Sequence, residues 1–505
     1  MNTAHRNGEI NPLNSPLVCA YEISADELLR ALLELAPERR VQILDSGGAR
    51  GGVDGEARFL IAGFDPFETV EARGRELLIQ SRFETGTRVE HGELLSLLDA
   101  RLARYRLPRQ AAAHPASHLP VAGGACIASF SYDFAREFAR LRSSAPASLA
   151  APEPEAVLAF YDTLVIHDYA RGLTHITSRG GEEQLARTRT ALDEARRVNR
   201  VETASSRNVE SVGRQEAASN FTREEYMSAV RRIKEHIYAG DIYQANLTQQ
   251  FTCPLDASRS SSNSAARIFL RLRHAHPASF AAYLQRRDDI VVSASPERFL
   301  RVSMNEVDEG ENSRRVEAWP IKGTRARGAT TEEDARLKRE LQRSAKDAAE
   351  NVMIVDLLRN DLGRVCRYGS VEVAALCEVQ EHPTLFHLVS KVRGTLREEV
   401  TAGELLRATF PCGSITGAPK LRAMEIIDAC ERAPRGLSMG ALGYFTFDGR
   451  IDLSVAIRTM VLRGGAARFN VGGGIVAESD PAAEYEESLL KARALFSALG
   501  ARAAK

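Results

Sequence analysis

The hydrophobic and polar positions of this chain follow two periods, one typical of helices and one typical of strands. After Leu17 the helical stretch ADELLRALLELAP is followed by short apolar runs, among them RRVQILDS, ARFLIAGF, GACIASFSYDF and AVLAFYDTLVIHDY. Runs of this length between polar turns predict strands. The region up to about His175 is therefore predicted to mix helices with sheet.

A helix is predicted at the start of the second half, in FTREEYMSAVRRIKEHIYAG. Thr222 and Glu225 have the spacing of a capping box, in which the two side chains satisfy backbone N–H groups of the first turn. Gly240 supplies a stop, because glycine readily adopts the left-handed conformation that ends many helices. The predicted apolar face consists of Tyr226, Val230, Ile233 and Ile237.

The next stretch, IYQANLTQQF, alternates between polar and apolar residues as a strand does. Successive side chains of a strand point to opposite faces, so Gln244, Asn246 and Thr248 share one face. We expect that face to line a polar cavity.

The C-terminal part predicts antiparallel strands covered by helices. Asp448 and Gly449 form a hairpin turn between two strand-like runs of ALGYFTFDGRIDLSVAIRTMVL, and ARFNVGGGIVAES adds a third run. The tracts 331–364 and 480–499 have helical patterns. Together with the mixed first half, this arrangement predicts an α+β fold.

The chain is long enough for more than one hydrophobic core. A single core rarely organises more than about 300 residues, and this chain has 505. A polar, charged segment ending in RNVESVGRQEAASN separates the two halves. We therefore divide the sequence into an N-terminal α+β region, 1–204, a linker or junction, 205–220, and a C-terminal region, 221–505.

Charge and cysteine content narrow the class of protein. Lys plus Arg and Asp plus Glu each number 67, so the formal net charge is zero and no overall positive field attracts nucleic acid or an anionic membrane. No apolar run is long enough for a membrane span, and the N-terminus lacks the pattern of a secretory signal. The seven cysteines form no CxxC pair, which favours reduced thiols in a cytoplasmic protein over disulfides or a zinc site.

Three glutamates are candidates for a metal site. Glu350 lies beside the apolar face of the predicted helix RSAKDAAENVMIVDLLRNDLGRV, so its carboxylate needs a cation, a hydrogen bond or a proton. Glu484 and Glu487 fall on one face of the last predicted helix, with Lys491 beside them. Such oxygen ligands suit Mg²⁺. Partly exposed or solvated glutamates also explain this pattern, so both alternatives stay open.

Glu297 and Lys322 are candidates for proton transfer and nucleophilic attack. Glu297, in SASPERF, follows an apolar strand, where desolvation can keep a carboxyl group protonated. A salt bridge with Arg298 is the alternative. Lys322, in WPIKGTRARG, attacks carbon only as a neutral amine, a form that burial or the neighbouring Arg325 and Arg327 would favour. Otherwise it is an anion-binding or solvated lysine.

A series of ordered stretches resembles the chorismate-utilising enzymes, and within them the aminodeoxychorismate synthase component I branch. The resemblance is strong over about residues 220–500 and weaker in the N-terminal half, where VQILDSGG, RFLIAGFDP and GGACIASFSYDFAREF match. It implies two large antiparallel β-sheets packed together with helices outside, and a chorismate-binding catalytic region over 221–505. The stretches that carry it are GDIYQANLTQQF, SASPERF, PIKGTRARG, AENVMIVDLLRNDLGRV, HPTLFHLVSKVRG, PCGSITGAPK, GALGYFTFDG, AIRTMVL and VGGGIVAESDPAAEYEESLLKA.

The resemblance implies an enzyme that aminates chorismate at C4, giving 4-amino-4-deoxychorismate for p-aminobenzoate and folate synthesis. Its implied cofactor is Mg²⁺, held by Glu350 and Glu487, with Glu484 sharing the role directly or through water. The nitrogen is implied to come from glutamine through a separate glutaminase subunit, or from free ammonia, since no glutaminase stretch is recognisable in the chain. We expect no fused lyase, because the chain ends soon after the last matching helix.

The same resemblance implies roles for individual residues. Glu297 is the implied general acid for departure of the C4 hydroxyl, and Lys322 the implied nucleophile at C2, because the matching position is usually alanine in relatives of other activity. Gln244 stands where family members that add water tend to hold a lysine. The groups implied to surround chorismate are Arg458, Tyr444, Gly473, Gly474 and Lys491, with Thr324 and His387 as further pocket residues.

Two other functions stay open at this point. Anthranilate synthase component I would aminate chorismate at C2, and a non-catalytic subunit would only bind it. Cys412 departs from the glycine or alanine that is more common in this motif, without removing a catalytic candidate. Because related subunits hold a tryptophan pocket in the N-terminal portion, residues 1–204 are a candidate for one, whether structural, regulatory or empty.

Overall fold

The computed structural model describes residues 16–48, 58–107, 118–139, 141, 153–198, 215–255, 262–304, 313–381 and 385–504. Over these ranges the strands form two large sheets, of 13 and 12 strands. Every recorded strand pairing is antiparallel except one at the edge of the larger sheet. The predicted α+β fold of two packed antiparallel sheets with surrounding helices is confirmed.

The larger sheet, called sheet one, contains strands from both ends of the chain. Its order is β1 (Leu17–Tyr21), β10 (Leu173–Ser178), β9 (Thr163–Asp168), β3 (Phe59–Gly63), β2 (Gln42–Asp45), β13 (Phe280–Gln285), β14 (Ile290–Ser295), β23 (Thr459–Arg463), β24 (Ala466–Ile475), β12 (Gln244–Pro254), β11 (Gln215–Ser219) and β25 (Ala501–Ala503), with β20 (Gly417–Ala418) paired to β12.

The second sheet, called sheet two, is likewise built from both halves of the chain. Its order is β17 (Ile321–Ala326), β19 (Leu385–Thr395), β16 (Arg314–Ala318), β15 (Arg298–Met304), β22 (Ile451–Val455), β21 (Ala441–Thr446), β7 (Ala125–Phe130), β8 (Ala156–Tyr161), β4 (Glu68–Arg73), β5 (Glu76–Ser81) and β6 (Thr87–His91), with β18 (Glu372–Glu381) paired to β19.

The helices cover the outer faces of the two sheets. They are α1 (Ala25–Glu34), α2 (Leu94–Arg104), α3 (Gly181–Arg197), α4 (Arg223–Tyr238), α5 (Ser262–Ala275), α6 (Thr331–Gln342), α7 (Ala345–Gly363), α8 (Ala402–Thr409), α9 (Lys420–Cys430) and α10 (Pro481–Leu499). No helix in the described ranges is both long and apolar enough to cross a membrane.

The three largest apolar clusters of the described residues form layers that hold most of the fold together. A middle layer joins the facing sides of the two sheets, with Ile166 and Val291 of sheet one packed in the same cluster as Ile127 and Leu442 of sheet two. An outer layer packs α1, α3, α5 and α10 against sheet one, and another packs α2, α7 and α8 against sheet two. Burial of apolar surface in such layers is the main force that favours folding.

Local signals placed several elements correctly. The capping box of α4 is present, with the Thr222 side chain accepting a hydrogen bond from the Glu225 backbone. The hairpin turn between β21 and β22 contains Gly449 at φ +97°. The tract 331–364 is not one helix, because Ser344 caps a new helix by accepting a hydrogen bond from the Asp347 backbone, which separates α6 from α7.

The predicted junction gives a mixed result. Residues 205–214 lie outside the described residues, so nothing is added about that part of the prediction. Residues 215–219 form β11, which pairs antiparallel with β12 and parallel with β25. This stretch is therefore regular structure at the edge of sheet one. The regions on either side of the junction share both sheets and their apolar layers.

Candidate active site

Lys322 lies on β17, at one edge of sheet two. An irregularity in the pairing with β19 follows it, where Gly323 has φ +76° and a side chain would meet Asp347 at 2.8 Å and Leu341 at 2.9 Å. Only glycine fits this backbone without strain. The turn leaves the Lys322 side chain 13% exposed, with Nζ 4.0 Å from Glu350 Oε2 on α7.

The two arginines that follow Lys322 are held by carboxylates of the neighbouring helices. Arg325 pairs with Glu340 at 2.9 Å and with Asp347 at 3.3 Å. Arg327 pairs with Asp334 at 2.5 Å. Their charges are largely compensated, so the predicted effect of these arginines on the Lys322 amine has little support. Burial and the contact with Glu350 define the surroundings of that amine.

Glu297 lies between β14 and β15 and is 5% exposed. Its Oε1 atom has no hydrogen-bond partner among the residues that the structure describes. Burial raises the pKa of Glu297 to about 7, against the opposing influence of the Ser414 hydroxyl and the Lys322 ammonium. Arg298 does not neutralise it, since that guanidinium pairs with Asp452 at 2.9 Å. The carboxyl group can therefore carry a proton near neutral pH.

The segment PCGSITGAPK lies next to Glu297. The thiol of Cys412 lies 3.3 Å from the Ser414 hydroxyl, and burial, with the Glu297 charge next in importance, raises the pKa of Cys412 to about 12. The segment is fixed at its far end, where the Lys420 ammonium pairs with Asp361 at 2.6 Å. Cys412 therefore stays a neutral thiol beside the candidate acid.

Two glutamates and a lysine of α10 converge over Gly473 of β24. A side chain at Gly473 would stand 3.0 Å from Glu484 Oε2, 3.5 Å from Lys491 Nζ and 3.7 Å from Glu487 Oε1. The absence of a side chain leaves the backbone of β24 open to these groups. Lys491 itself pairs with Glu487 at 2.8 Å and donates to the Gly472 carbonyl at 2.9 Å.

The three glutamates are electrostatically coupled. Burial raises the pKa of Glu350, with Lys322 opposing and the Glu487 charge adding to the shift. Burial also raises the pKa of Glu484, although the Ser479 hydroxyl donates to it at 2.7 Å. Burial acts on Glu487 in the same direction, but Lys491 and other lysines outweigh it and lower its pKa.

Arg458 is a partly buried cation in the loop between β22 and β23. Burial lowers the pKa of its guanidinium, and no carboxylate of the described residues pairs with it. Its backbone is held in the left-handed region at φ +49°, where the Arg458 carbonyl accepts a hydrogen bond from the Ala294 amide at 3.1 Å. A partly buried guanidinium without a carboxylate partner in the described ranges suits the binding of an anion.

Comparison with known proteins assigns the chain to a family. The family model described as chorismate binding enzyme matches residues 54–497. This chain belongs to the chorismate-binding enzyme family. Among its relatives, aminodeoxychorismate synthase component 1 of Klebsiella aerogenes is 38% identical over 397 residues, covering 79% of this chain and 81% of that protein. Anthranilate synthase component 1 of Thermus thermophilus is 35% identical over 475 residues, covering 93% and 94%.

Other relatives differ in length or are known as structures. The chain spans 30% of the probable chloroplastic aminodeoxychorismate synthase of Oryza sativa, with 44% identity over 286 residues, which is 56% of this chain. The crystal structure of anthranilate synthase component I from Streptococcus pneumoniae superposes with a TM-score of 0.70 at 27% identity, covering 87% of this chain and 92% of that one. The chain is therefore a chorismate-utilising enzyme.

The glutamates of this chorismate-binding enzyme fit Mg²⁺ in their chemistry. They offer hard carboxylate oxygens, and the raised pKa values of Glu350 and Glu484 indicate negative charge in need of compensation. Within the described part of the chain, however, no group of three or more His, Cys, Asp or Glu side chains is arranged to hold a metal ion. The three carboxylates interact electrostatically but are not arranged as a complete coordination shell.

Gln244 lies on β12, and the Thr324–His387 pair lies on β17 and β19 of this chorismate-binding enzyme. Gln244 is fully buried at the start of β12, and a side chain at Gly474 would stand 2.3 Å from its Nε2 atom. Thr324 and His387 face each other across β17 and β19, with Thr324 Oγ1 2.9 Å from His387 Nδ1. The polar face predicted for β12 is buried, as is the opposite face over residues 244–249, so the polar cavity expected there stays a prediction.

Tyr444 is not placed with the predicted chorismate groups. It lines a separate cavity of about 80 Å³ between the two sheets, together with Leu44 and Ser46 of ILDSGG and with Arg298. Burial raises the pKa of its hydroxyl, and the charges that act on that hydroxyl come from Asp452 and nearby arginines rather than from the glutamates. The role of Tyr444 as a chorismate-binding group therefore stays a prediction. Whether the cavity is a tryptophan pocket stays a prediction.

Two further residues of the site escaped the sequence reasoning. Lys346 lies one helical turn before Glu350, and its charge lowers the pKa values of all three glutamates. The i, i+4 spacing was the available signal. Ser414 acts on Glu297 from a segment more than 100 residues away in sequence, and no local pattern indicates such a contact.

Proposed function

We propose that this enzyme aminates chorismate at C4 to give 4-amino-4-deoxychorismate, through a covalent intermediate in which Lys322 is bonded to C2. The observation that carries the proposal is the joint placement of a nucleophile and an acid. The Lys322 side chain is 13% exposed on its bulged strand, and its charge acts on the buried Glu297, whose pKa is about 7. A lysine and a carboxylic acid so placed suit covalent catalysis with a leaving hydroxyl.

In the first step, neutral Lys322 forms a bond from Nζ to C2 while the ring double bonds shift and the C4–O bond breaks. Glu297 gives its proton to the departing hydroxyl, which leaves as water. In the second step, ammonia forms a bond to C4, the double bonds shift back, and the bond between C2 and Lys322 Nζ breaks to return the neutral amine. One proton of the added nitrogen passes to the Glu297 carboxylate, which restores the acid. The net reaction exchanges the C4 hydroxyl for an amino group, with one water released.

Binding of chorismate requires compensation of its two carboxylates. Arg458, a partly buried guanidinium without a carboxylate partner in the described ranges, suits one of them. Backbone amides near Gly473 and Gly474 and the ammonium of Lys491 would assist. Mg²⁺, held by Glu350 and Glu487 with Glu484 beside them, would supply positive charge for the other carboxylate. Thr324 and His387 are proposed as pocket residues.

The nitrogen is proposed to reach the site as ammonia from a separate glutaminase subunit. The component 1 names of relatives such as the Klebsiella aerogenes protein support a division into subunits. Gln244 supports amination over addition of water, because its amide is not a base. Formation of 4-amino-4-deoxychorismate would place the enzyme before p-aminobenzoate in folate synthesis, in the cytoplasm.

Amination at C2, as in anthranilate synthase, is the second candidate. It is favoured by the 35% identity with the Thermus thermophilus anthranilate synthase component 1, which extends over 93% of this chain. The presence of Lys322 argues for C4, because a covalent adduct at C2 blocks ammonia from that carbon.

The test is product identification. The purified chain is incubated with chorismate, Mg²⁺ and an ammonium salt at mildly alkaline pH. The products are separated by chromatography and identified by mass spectrometry. The proposal expects 4-amino-4-deoxychorismate, which added lyase converts to p-aminobenzoate. Anthranilate as the main product would establish the second candidate. If no product forms even with a glutaminase subunit and glutamine, the chain is a binding subunit only.

A further inference from the structure

Two neighbouring amide side chains on β12 have buried polar atoms that lack a hydrogen-bond partner among the described residues. Gln244 is 0% exposed and Asn246 is 7% exposed. Both polar atoms of the Gln244 amide and the side-chain oxygen of Asn246 have no partner in the described ranges. Leaving such groups unsatisfied costs about 1–3 kcal/mol each, and buried polar groups of native proteins are nearly always paired.

The deficit is confined to these two positions of the strand. Thr248, the next residue on the same face, donates to Glu431 at 2.9 Å and accepts from Asn470 at 3.2 Å. Gln249, on the opposite face, donates to Ser488 at 2.6 Å. The rest of the strand is therefore well satisfied, and the unpaired amides mark a local binding site rather than poor packing of β12.

The two amides lie beside the catalytic segments. The Asn246 backbone amide donates to the Thr416 carbonyl at 2.7 Å, which joins β12 to the segment that carries Ser414. On the other side Asn246 is paired with Gly474, whose missing side chain leaves room for the Gln244 amide. The amides thus lie between the segment over Glu297 and the glycine strand that faces Glu484 and Glu487.

We propose that Gln244 and Asn246 form the binding site for ammonia, and that Asn246 is a positioning residue of the amination. This inference rests on the proposed function. Two side-chain oxygens can accept two of the three N–H groups of ammonia, which leaves its lone pair free for attack on the ring. The amides carry no charge, so they favour the neutral nucleophile and offer no counter-charge to ammonium.

The site is unsuited to the other ligands of this pocket. A carboxylate of chorismate needs several donors, whereas this site offers only the Gln244 Nε2 donor beside two unpaired oxygens that would repel the carboxylate. Mg²⁺ prefers carboxylate oxygens, which Glu350 and Glu487 supply elsewhere. A water molecule can donate its two O–H groups to the same oxygens, so buried water is the alternative that an experiment must separate from ammonia.

The test is a steady-state comparison of Asn246→Ala with the wild type, with ammonium salt as the nitrogen source. We expect the KM for ammonia to rise about tenfold, as loss of one hydrogen bond to a buried polar group implies, while the KM for chorismate changes less than about twofold. Asn246→Ser, which keeps an oxygen acceptor, should give an intermediate KM for ammonia. It also serves if Asn246→Ala fails to fold.

Asn470→Ala is the matched control, because Asn470 is a buried asparagine of the adjacent strand whose amide is satisfied by Thr248 and Gln250. It should lower the thermal unfolding midpoint without raising the KM for ammonia. An unchanged KM for ammonia in Asn246→Ala would mean that the amides hold only water. A parallel rise in the KM for chorismate would assign them to chorismate. Both results overturn the inference while amination by the wild type stands.

If the wild type does not consume ammonia at all, the proposed function fails and the ammonia site fails with it. If the wild type aminates chorismate at C2 instead of C4, the proposed function fails at the position of attack, but the comparison of KM values still tests the ammonia site. The product analysis and the KM measurements therefore separate the two ideas.

Discussion

The ammonium of Lys322 and the carboxylate of Glu350 stand 4.0 Å apart, on a strand of sheet two and on the helix that covers it. Glu350 is also coupled to Glu487 of α10. The candidate nucleophile thus lies next to one of the candidate metal ligands. Substitution of Lys322 is expected to affect product formation, whereas substitution of the glutamates is expected to affect Mg²⁺ binding.

Lys322→Ala is expected to abolish amination at C4. Removal of a covalent nucleophile that acts together with an acid costs about 10³-fold or more in kcat. The products should be identified by mass spectrometry, because anthranilate is expected to appear if C2 becomes open to ammonia. Lys338→Ala, on the exposed face of α6, is the control and should keep the wild-type rate. Wild-type formation of 4-amino-4-deoxychorismate by Lys322→Ala would refute the nucleophile assignment.

Glu297→Gln is expected to remove a pH dependence from activity. The general acid must be protonated, and the pKa of Glu297 is about 7. Loss of the Glu297 proton should therefore lower kcat of the wild type as pH rises through about 7. Glutamine cannot supply the proton, so kcat of the variant should be lower by about 10² to 10⁴-fold and should not show this fall with pH. A profile of kcat against pH measures it. The same fall of kcat with pH in the variant would assign the titration to another group.

The same variant is expected to change how stability depends on pH. Folding raises the pKa of Glu297 from 4.5 to about 7, so the folded protein binds more protons than the unfolded chain in this window. The stabilising contribution is full below pH 4.5 and is lost as pH rises through about 7, a change of roughly 3 kcal/mol. Relative to Glu297→Gln, the wild type should therefore lose stability between pH 5 and pH 8 in chemical denaturation. Equal pH dependence would contradict the buried carboxyl.

Mg²⁺ is expected to stabilise the wild type through the three glutamates. A ligand that binds only the folded state raises the thermal unfolding midpoint, here by about 2 °C or more at saturation. Glu350→Gln and Glu487→Gln should lose this response. Glu486→Gln is the control, because Glu486 lies on the same helix but is 64% exposed and pairs with Arg223. A full response in both site variants would place Mg²⁺ elsewhere.

Gly323→Ala is expected to destabilise the protein and to misplace the nucleophile. The alanine would have to adopt φ +76° and would meet Asp347 at 2.8 Å, at a cost of about 1–2 kcal/mol for the backbone alone. We expect a lower unfolding midpoint and a loss of kcat that exceeds any change in the KM for chorismate. Gly363→Ala is the control, because a side chain there has no heavy atom within 4 Å. Normal kcat in Gly323→Ala would show that the bulge is not needed to position Lys322.

Short-range signals in the sequence determined a good part of the secondary structure and the inventory of the site. The capping box of Thr222 and Glu225 and the turn at Gly449 depend on contacts within a few residues, and both are present. The alternation in β12 placed Gln244 and Asn246 on one buried face for the same reason. Family resemblance added the roles proposed for Lys322 and Glu297, which stay predictions.

Contacts between distant segments could only be decided by the tertiary structure. Tyr444 stands in the cavity with Ser46, nearly 400 residues away in sequence, because β21 lies in sheet two facing the strand that ILDSGG forms in sheet one. The pKa of Glu297 depends on burial and on Ser414, neither of which a local pattern contains. The lack of a partner for the Asn246 side-chain oxygen likewise depends on how distant segments pack around β12. Residue type and spacing specify which groups are available, whereas long-range packing specifies which of them meet, how far they are desolvated and which lack a partner.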